Sequence, residues 1–421
     1  MPDTRRNDGM LAPYRALDLT DEQGFLCGKI LGDLGADVIK VEPPGGDQAR
    51  NIGPFYDNVA DPENSLYWWA YNANKRGITL NLEMPAGQEI FRRLAQTADF
   101  VIESFRPGYL EDLALGYDAL RVINPRLIMT SITPFGQTGP YSGYKGADIV
   151  TTALSGFMSL VGEADGPPQC VALPQSPLWA GMYAAAGALI ALHHRQATGQ
   201  GQHVDISAQA SLLWALANAP AFWDLNQENP QRAGTLIIGR SITGAKMQAI
   251  HPCRDGYINF IIYGGMAGRR SNQALVAWMD EYGLASESLK QKDWDSFDIA
   301  TATQEEIDEI ERPAAALFRQ LTKAEFLEGA TQREILGYPV SDAGDIWGDA
   351  HLAAREFWQG VEHPDLGRAI TYPGAFAKFS ETPLQIRRRA PLIGEHNQEV
   401  YGDELGMSNR ELAELQGAGV V

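Results

Sequence analysis

Between Ala16 and Thr133 short β-branched runs alternate with stretches whose apolar residues recur at helical spacing, the pattern of βαβ units feeding a parallel sheet. Four runs read as strands: Ala16 to Leu19, Asp37 to Val41, Asp99 to Glu103 and Leu127 to Ile132, with Ile78 to Leu82 as a fifth near an edge or turn. Ile90, Phe91 and Leu94 share one face of a helix predicted over 86–96. It follows Pro85, tolerated at a helix start because its missing N–H would have no partner there. A longer helix is predicted from about Leu178 to Ala197, ending near Gly199 and Gly201, where glycine can take the left-handed cap conformation.

Beyond Pro220 the texture changes to Asn, Gln, Pro and Gly, which reads as a linker over 221–245. The expected organisation is therefore a large domain over 1–220, a small domain over 246–338 and a return to the large domain over 339–421. Within the small domain, Gln248 to Tyr263 reads as two strands around Arg254-Asp255-Gly256, and Asn272 to Ile335 as mostly helical. A final helix is expected from Ser408 to Gln416.

Composition narrows the class. The 421 residues are 44% hydrophobic and 21% charged, globular values. Fifty-three acidic against 34 basic residues give a net charge of -19, which opposes broad contact with nucleic acid or anionic membrane. The polar stretch Met1 to Asp8 lacks an apolar signal segment, so a cytoplasmic protein is expected. Cys27, Cys170 and Cys253 lie far apart, a spacing that favours reduced thiols over disulfides or a zinc site.

Several motifs carry no chemistry. No G-x-G-x-x-G follows a strand and no P-loop occurs. Ser142 to Lys145 matches S-x-x-K once, as chance allows. His193 and His194 point about 100° apart on one helix and do not share a metal easily, and the acidic run from Glu305 to Glu311 reads as a solvated helix face. The turns Pro43-Pro44-Gly45-Gly46 and Phe135 to Pro140 directly follow predicted strands, where parallel sheets bind ligands.

Taken in order, the segments Leu17 to Thr20, Leu34 to Asp47, Asn74-Lys75-Arg76, Glu103 to Gly108, Asn124 to Ile128, Phe135 to Tyr141, Thr198 to Gln202, Thr382-Pro383, Arg387-Arg388 and Gly394-Glu395-His396 resemble CoA-transferase family III over nearly the whole chain. The resemblance implies an α/β fold with a large Rossmann-like domain built from both chain ends, a smaller inserted α+β domain, and two interlocked subunits. It also implies transfer of CoA between carboxylic acids through covalent intermediates on one aspartate, with no metal and no covalently bound cofactor.

That aspartate precedes an Ala-Gly segment opening the long helix, and here Gln175 to Tyr183 places Pro177 in its position. The histidine of the racemase branch is replaced by Ala147, before Asp148. Glu83 and Asp112 stand where the family tends to have cations for CoA phosphates, and the turn Asp21 to Phe25 and the loop Leu236 to Gly244 also depart from the pattern. The resemblance leaves Asn74, Lys75, Arg76, Ser104, Phe105, Arg106, Phe135, Gly136 and Gln137 as residual CoA-site positions, with no catalytic residue.

The expected function is that of a non-catalytic subunit whose paralogous, aspartate-bearing partner moves CoA between succinyl-CoA and an aryl-substituted succinate such as benzylsuccinate. Two alternatives stand beside it: an active homodimer using a displaced carboxylate, Asp148 or Asp165, and a CoA-ester-binding or structural protein without activity.

Overall fold

The computed structural model describes residues 9–421. Its described residues divide into two compact units, one comprising 9–158, 170–228 and 351–421 and the other 159–169 and 229–350.

Six parallel strands organise the first unit: β1 (Arg15–Leu19), β2 (Asp37–Glu42), β3 (Lys75–Thr79), β4 (Phe100–Glu103), β5 (Ile128–Thr133) and β6 (His203–Ser207). Their order is β3-β2-β1-β4-β5-β6. Ala16 lies beside Val38 on one flank and Phe100 on the other, and Met129 beside His203. Strands covered on both faces are mostly apolar, and β2, β4 and β5 are buried along nearly their whole length, with Lys40, Glu42 and Thr130 among the polar side chains buried in them. One face packs Ile39, Val101 and Met129 against Phe91 and Leu94 of the helix Pro85–Ala95. The other packs Phe100 and Ile128 against Ala180, Ala184 and Ala188 of the helix Ser176–Thr198, whose small side chains allow close approach.

The first four strands and the two helices fall where the hydrophobic pattern put them, within a residue or two. The fifth strand is displaced. It begins at Lys75 rather than Ile78, after Asn74 turns the chain with a positive φ of 66°. Its outer edge is covered by the chain's far end: Gly77 N–H donates to His396, Thr79 N–H to Asn397, and the backbone N–H of Asn81 to the Val420 carbonyl. β6, absent from the sequence reading, is half-buried and mixed in polarity, so neither alternation nor an apolar run marked it. The helix Asn218–Asn226 runs into the stretch whose composition suggested a linker.

In the second unit, Gly256–Phe260 pairs antiparallel with Ile250–Cys253 and Gly337–Pro339. Helices Gly265–Glu281, Gln304–Phe318 and Lys323–Gln332 surround a core that includes Phe260, Met279, Ile310, Phe318 and Phe326. Thr303–Glu306 and Thr322–Glu325 form reciprocal capping boxes at two helix starts. Among the described residues no helix is long and apolar enough to cross a membrane.

Candidate functional site

In this strand order the chain leaves β1 to one side through β2 and β3 and returns through β4 on the other, so a crevice opens beyond the carboxyl ends of β1 and β4. Two segments meet across it. The Asp21 N–H donates to Ser104 Oγ at 2.8 Å, and the Ser104 hydroxyl donates to Asp21 Oδ1 at 2.7 Å. Burial raises the Asp21 carboxyl above its ordinary value despite these bonds. Burial, then the neighbouring Asp21, raises Glu22 as well.

Glu103, the last residue of β4, is 4% exposed and accepts the Phe105 N–H at 2.7 Å. Burial pushes its carboxyl up to about 7. Beside it, Ser131 Oγ lies 2.8 Å from His203 Nε2, and the His203 ring stacks on Tyr117.

A second feature lies next to β5. Gln23, Ile132, Thr133, Gly146, Asp148, Thr151, Ser176, Pro177 and Ala208 line a small cleft of about 20 Å³, far below the roughly 300 Å³ of the smallest ordinary ligand pockets. That is room for little more than one water molecule. Its wall is fixed from the helix Asp148–Leu154. Asp148 Oδ1 accepts the backbone N–H of Gln175 at 2.9 Å and of Ser176 at 2.7 Å, and the Thr151 hydroxyl donates to Ser176 Oγ at 2.8 Å. A carboxylate at a helix N-terminus is favoured by the N–H groups left over there and by the helix dipole. Pro177 is the second residue of that long helix and sacrifices no hydrogen bond.

The expected CoA-site positions separate into two groups. Ser104, Phe105 and Arg106 follow β4, and Phe135, Gly136 and Gln137 follow β5, all at the carboxyl ends. Arg106 is exposed and pairs with Asp112 at 3.0 Å, and the Gln137 N–H is held by Asp205. Phe135 packs edge-on against Tyr141 and Tyr144, and Gly136, at φ 88°, donates to Thr133 Oγ1.

Asn74, Lys75 and Arg76 sit instead at the amino end of β3, with their polar atoms taken up inside the chain. Asn74 binds Asp33 and the Gln385 carbonyl, Arg76 spans Asp37, Glu399 and Glu404, and Lys75 is buried against Asp18 at 2.7 Å. Glu83 accepts the Tyr109 hydroxyl. Of the two carboxylates considered as displaced nucleophiles, Asp148 is in the cleft and Asp165 belongs to the second unit. Thr133 and Thr151 were not singled out beforehand, because only the fold brings their segments beside Gln23 and Ser176 and no local motif marks them.

A parallel α/β sheet with its crevice at the strand reversal, and a cleft where a long helix begins, define a ligand-handling α/β protein of the Rossmann-like class. The chain belongs to CoA-transferase family III, whose model matches residues 12–397. It is 41% identical over 391 residues to the succinyl-CoA:(R)-benzylsuccinate CoA-transferase subunit BbsE of Thauera aromatica, covering 92% of each chain. It is 33% identical to the succinyl-CoA–L-malate CoA-transferase beta subunit of Chloroflexus aurantiacus, covering 98% of each. A CaiB/BaiF family protein from Brucella suis superposes with a TM-score of 0.79 at 28% identity, covering 93% of this chain and 98% of that one. The substrates of the family are CoA thioesters.

Proposed function

We propose that this chain is the non-catalytic subunit of a heteromeric family III CoA-transferase that moves CoA between succinyl-CoA and an aryl-substituted succinate such as benzylsuccinate. The observation that carries the reading is Pro177 in the wall of the cleft at the start of the long helix, where the family's nucleophilic aspartate is expected. Proline offers no carboxylate to attack a thioester carbonyl, and so no acyl-aspartyl anhydride can form at that position. The partner subunit supplies the aspartate: its carboxylate displaces CoA thiolate from the acyl donor, and the thiolate then returns to give an aspartyl-CoA thioester and free succinate. The substrate assignment is supported by the 41% identical relative, itself named as a subunit of a benzylsuccinate CoA-transferase.

Asp148 lines the same cleft and is the one displaced carboxylate with a structural case, but its Oδ1 already serves two N–H groups of the long helix. The deciding assay measures transfer from succinyl-CoA to benzylsuccinate by this chain alone, by an aspartate-bearing paralogue alone, and by both co-expressed. Activity only on co-expression is expected. Turnover by this chain alone that disappears in Asp148→Asn would overturn the proposal in favour of the displaced carboxylate.

A further inference from the structure

The carboxyl groups buried near the carboxyl ends of the strands are not all alike. Asp18 of β1 lies 2.7 Å from the Lys75 ammonium, and Glu42 at the end of β2 lies 2.6 Å from the Arg50 guanidinium. Glu103 at the end of β4 is buried too, but no cation pairs with it among the described residues. Its hydrogen-bond partners are neutral: the Phe105 N–H and the hydroxyl of Ser131, its neighbour in register on β5. The charged groups around it have its own sign, Glu111 from the helix Tyr109–Asp112 and Asp21 from the turn after β1. Ionising a buried carboxyl beside like charges is costly, so Glu103 keeps its proton to a higher pH than an exposed glutamate.

Glu103 also anchors one side of a closure across the crevice. Its carboxyl accepts the Phe105 N–H and so fixes the turn after β4, and Ser104 in that turn exchanges two hydrogen bonds with Asp21 in the turn after β1. Glu22, Asp47 and Lys40 are the other charged groups near Asp21, and Lys40 is already engaged by the Thr20 carbonyl and by Asp47. On the far side of Ser131, its hydroxyl lies 2.8 Å from His203 Nε2. The His203 ring stacks on Tyr117, with Asp205, Glu111 and Asp118 as the charged groups around it, and burial lowers its pKa, so the ring is neutral near pH 7.

We propose that the Glu103 proton works a pH-sensitive latch on the crevice: while it is in place the Asp21–Ser104 closure holds, and when it leaves the closure loosens. On ionisation the carboxyl O–H bond breaks, its electron pair stays on Glu103 and the proton passes to water. The new charge faces Asp21 and Glu111 with no cation between them, and the repulsion falls on the turn that carries Ser104. Ser131 has one hydrogen to give, which couples His203 to the change. With Glu103 neutral, the carboxyl O–H donates to Ser131 and Ser131 donates to His203 Nε2. With Glu103 ionised, Ser131 donates to the carboxylate and takes the Nε2–H of His203 in turn. The latch does not depend on the heteromeric reading.

The test follows the Asp21 amide, whose N–H is bonded to Ser104 while the latch is closed, by hydrogen–deuterium exchange of the full chain across neutral pH. Each rate is divided by the intrinsic rate of the same peptide unfolded at that pH. In wild type the protection is expected to fall at least about fivefold as pH rises, with a midpoint of about 7. Glu103→Gln keeps an acceptor for the Phe105 N–H but does not ionise, and is expected to stay protected throughout. Asp21→Asn removes the like charge from the other side of the closure, keeps an acceptor for Ser104, and is expected to behave in the same way. Ser131→Ala removes a bond that favours the ionised carboxyl and is expected to move the midpoint upward. Circular dichroism and thermal melting establish which variants are folded. Wild-type protection that does not change with pH overturns the latch, as does a fall that persists in folded Glu103→Gln or Asp21→Asn. A midpoint unmoved in folded Ser131→Ala overturns the part given to Ser131 and His203.

Discussion

Lys75 shows how a residue's neighbours decide its role. Its ammonium is fully buried and donates to Asp18 Oδ2 at 2.7 Å, the Phe25 carbonyl at 3.0 Å and Asn72 Oδ1 at 2.9 Å, so all three of its donors are used. Burial acts to raise the Asp18 carboxyl, but Lys75 and then Lys40 outweigh it and hold it below the usual carboxylate range. Lys75→Met strands Asp18 in the interior and is expected to cost about 3–5 kcal/mol in urea unfolding, whereas Lys75→Met with Asp18→Leu recovers most of that loss. A double variant as unstable as the single one would show that packing, not the unpaired charge, sets the cost. Glu103 makes the complementary case. Its folded value of about 7 lies above the ordinary 4.5, so the folded state holds the proton more tightly and stability falls as pH rises from about 4.5 through 7. Glu103→Gln is expected to flatten that slope, by up to about 3 kcal/mol at pH 8, read as the pH dependence of the urea midpoint. The triplet Asn74-Lys75-Arg76 was legible as a motif, but its partners Asp33, Asp18 and Asp37 come from elsewhere in the fold, so nothing local gave the direction of the side chains.

At the scale of elements, the start of the long helix is held from outside. No side chain of its own caps it, and Asp148 does that work across 27 residues of sequence. Asp148→Ala removes the acceptor of two N–H groups and is expected to destabilise the protein by about 1–2 kcal/mol, seen as a lower urea midpoint at unchanged m value. Asp148→Asn keeps an acceptor oxygen and should lose less. If alanine and asparagine cost the same, the carboxylate is not acting as a cap. The sequence placed this helix and the first four strands well because both signals are local: helical spacing in one case, aliphatic runs between turns in the other. It misplaced β3 and missed β6 because edge strands take their definition from what covers them, and β3 is covered by residues beyond 390.

For the whole molecule, the pattern of family segments in order was enough to give the family and the α/β class, since hydrophobic periodicity and turn residues act over short distances and survive without knowledge of contacts. That position 177 carries proline was also readable, because it depends only on residue identity at one place in an ordered series of segments. The tertiary structure decided what depends on distance. It joined Gln23, Thr133, Asp148 and Pro177 in one cleft, and it turned the polar side of the helix 148–154 inward and its apolar side out. It also buried a carboxyl at the end of β4 that an isolated peptide would leave ionised in water. Burial and proximity are properties of pairs of segments far apart in the chain, and no local pattern of residues encodes them.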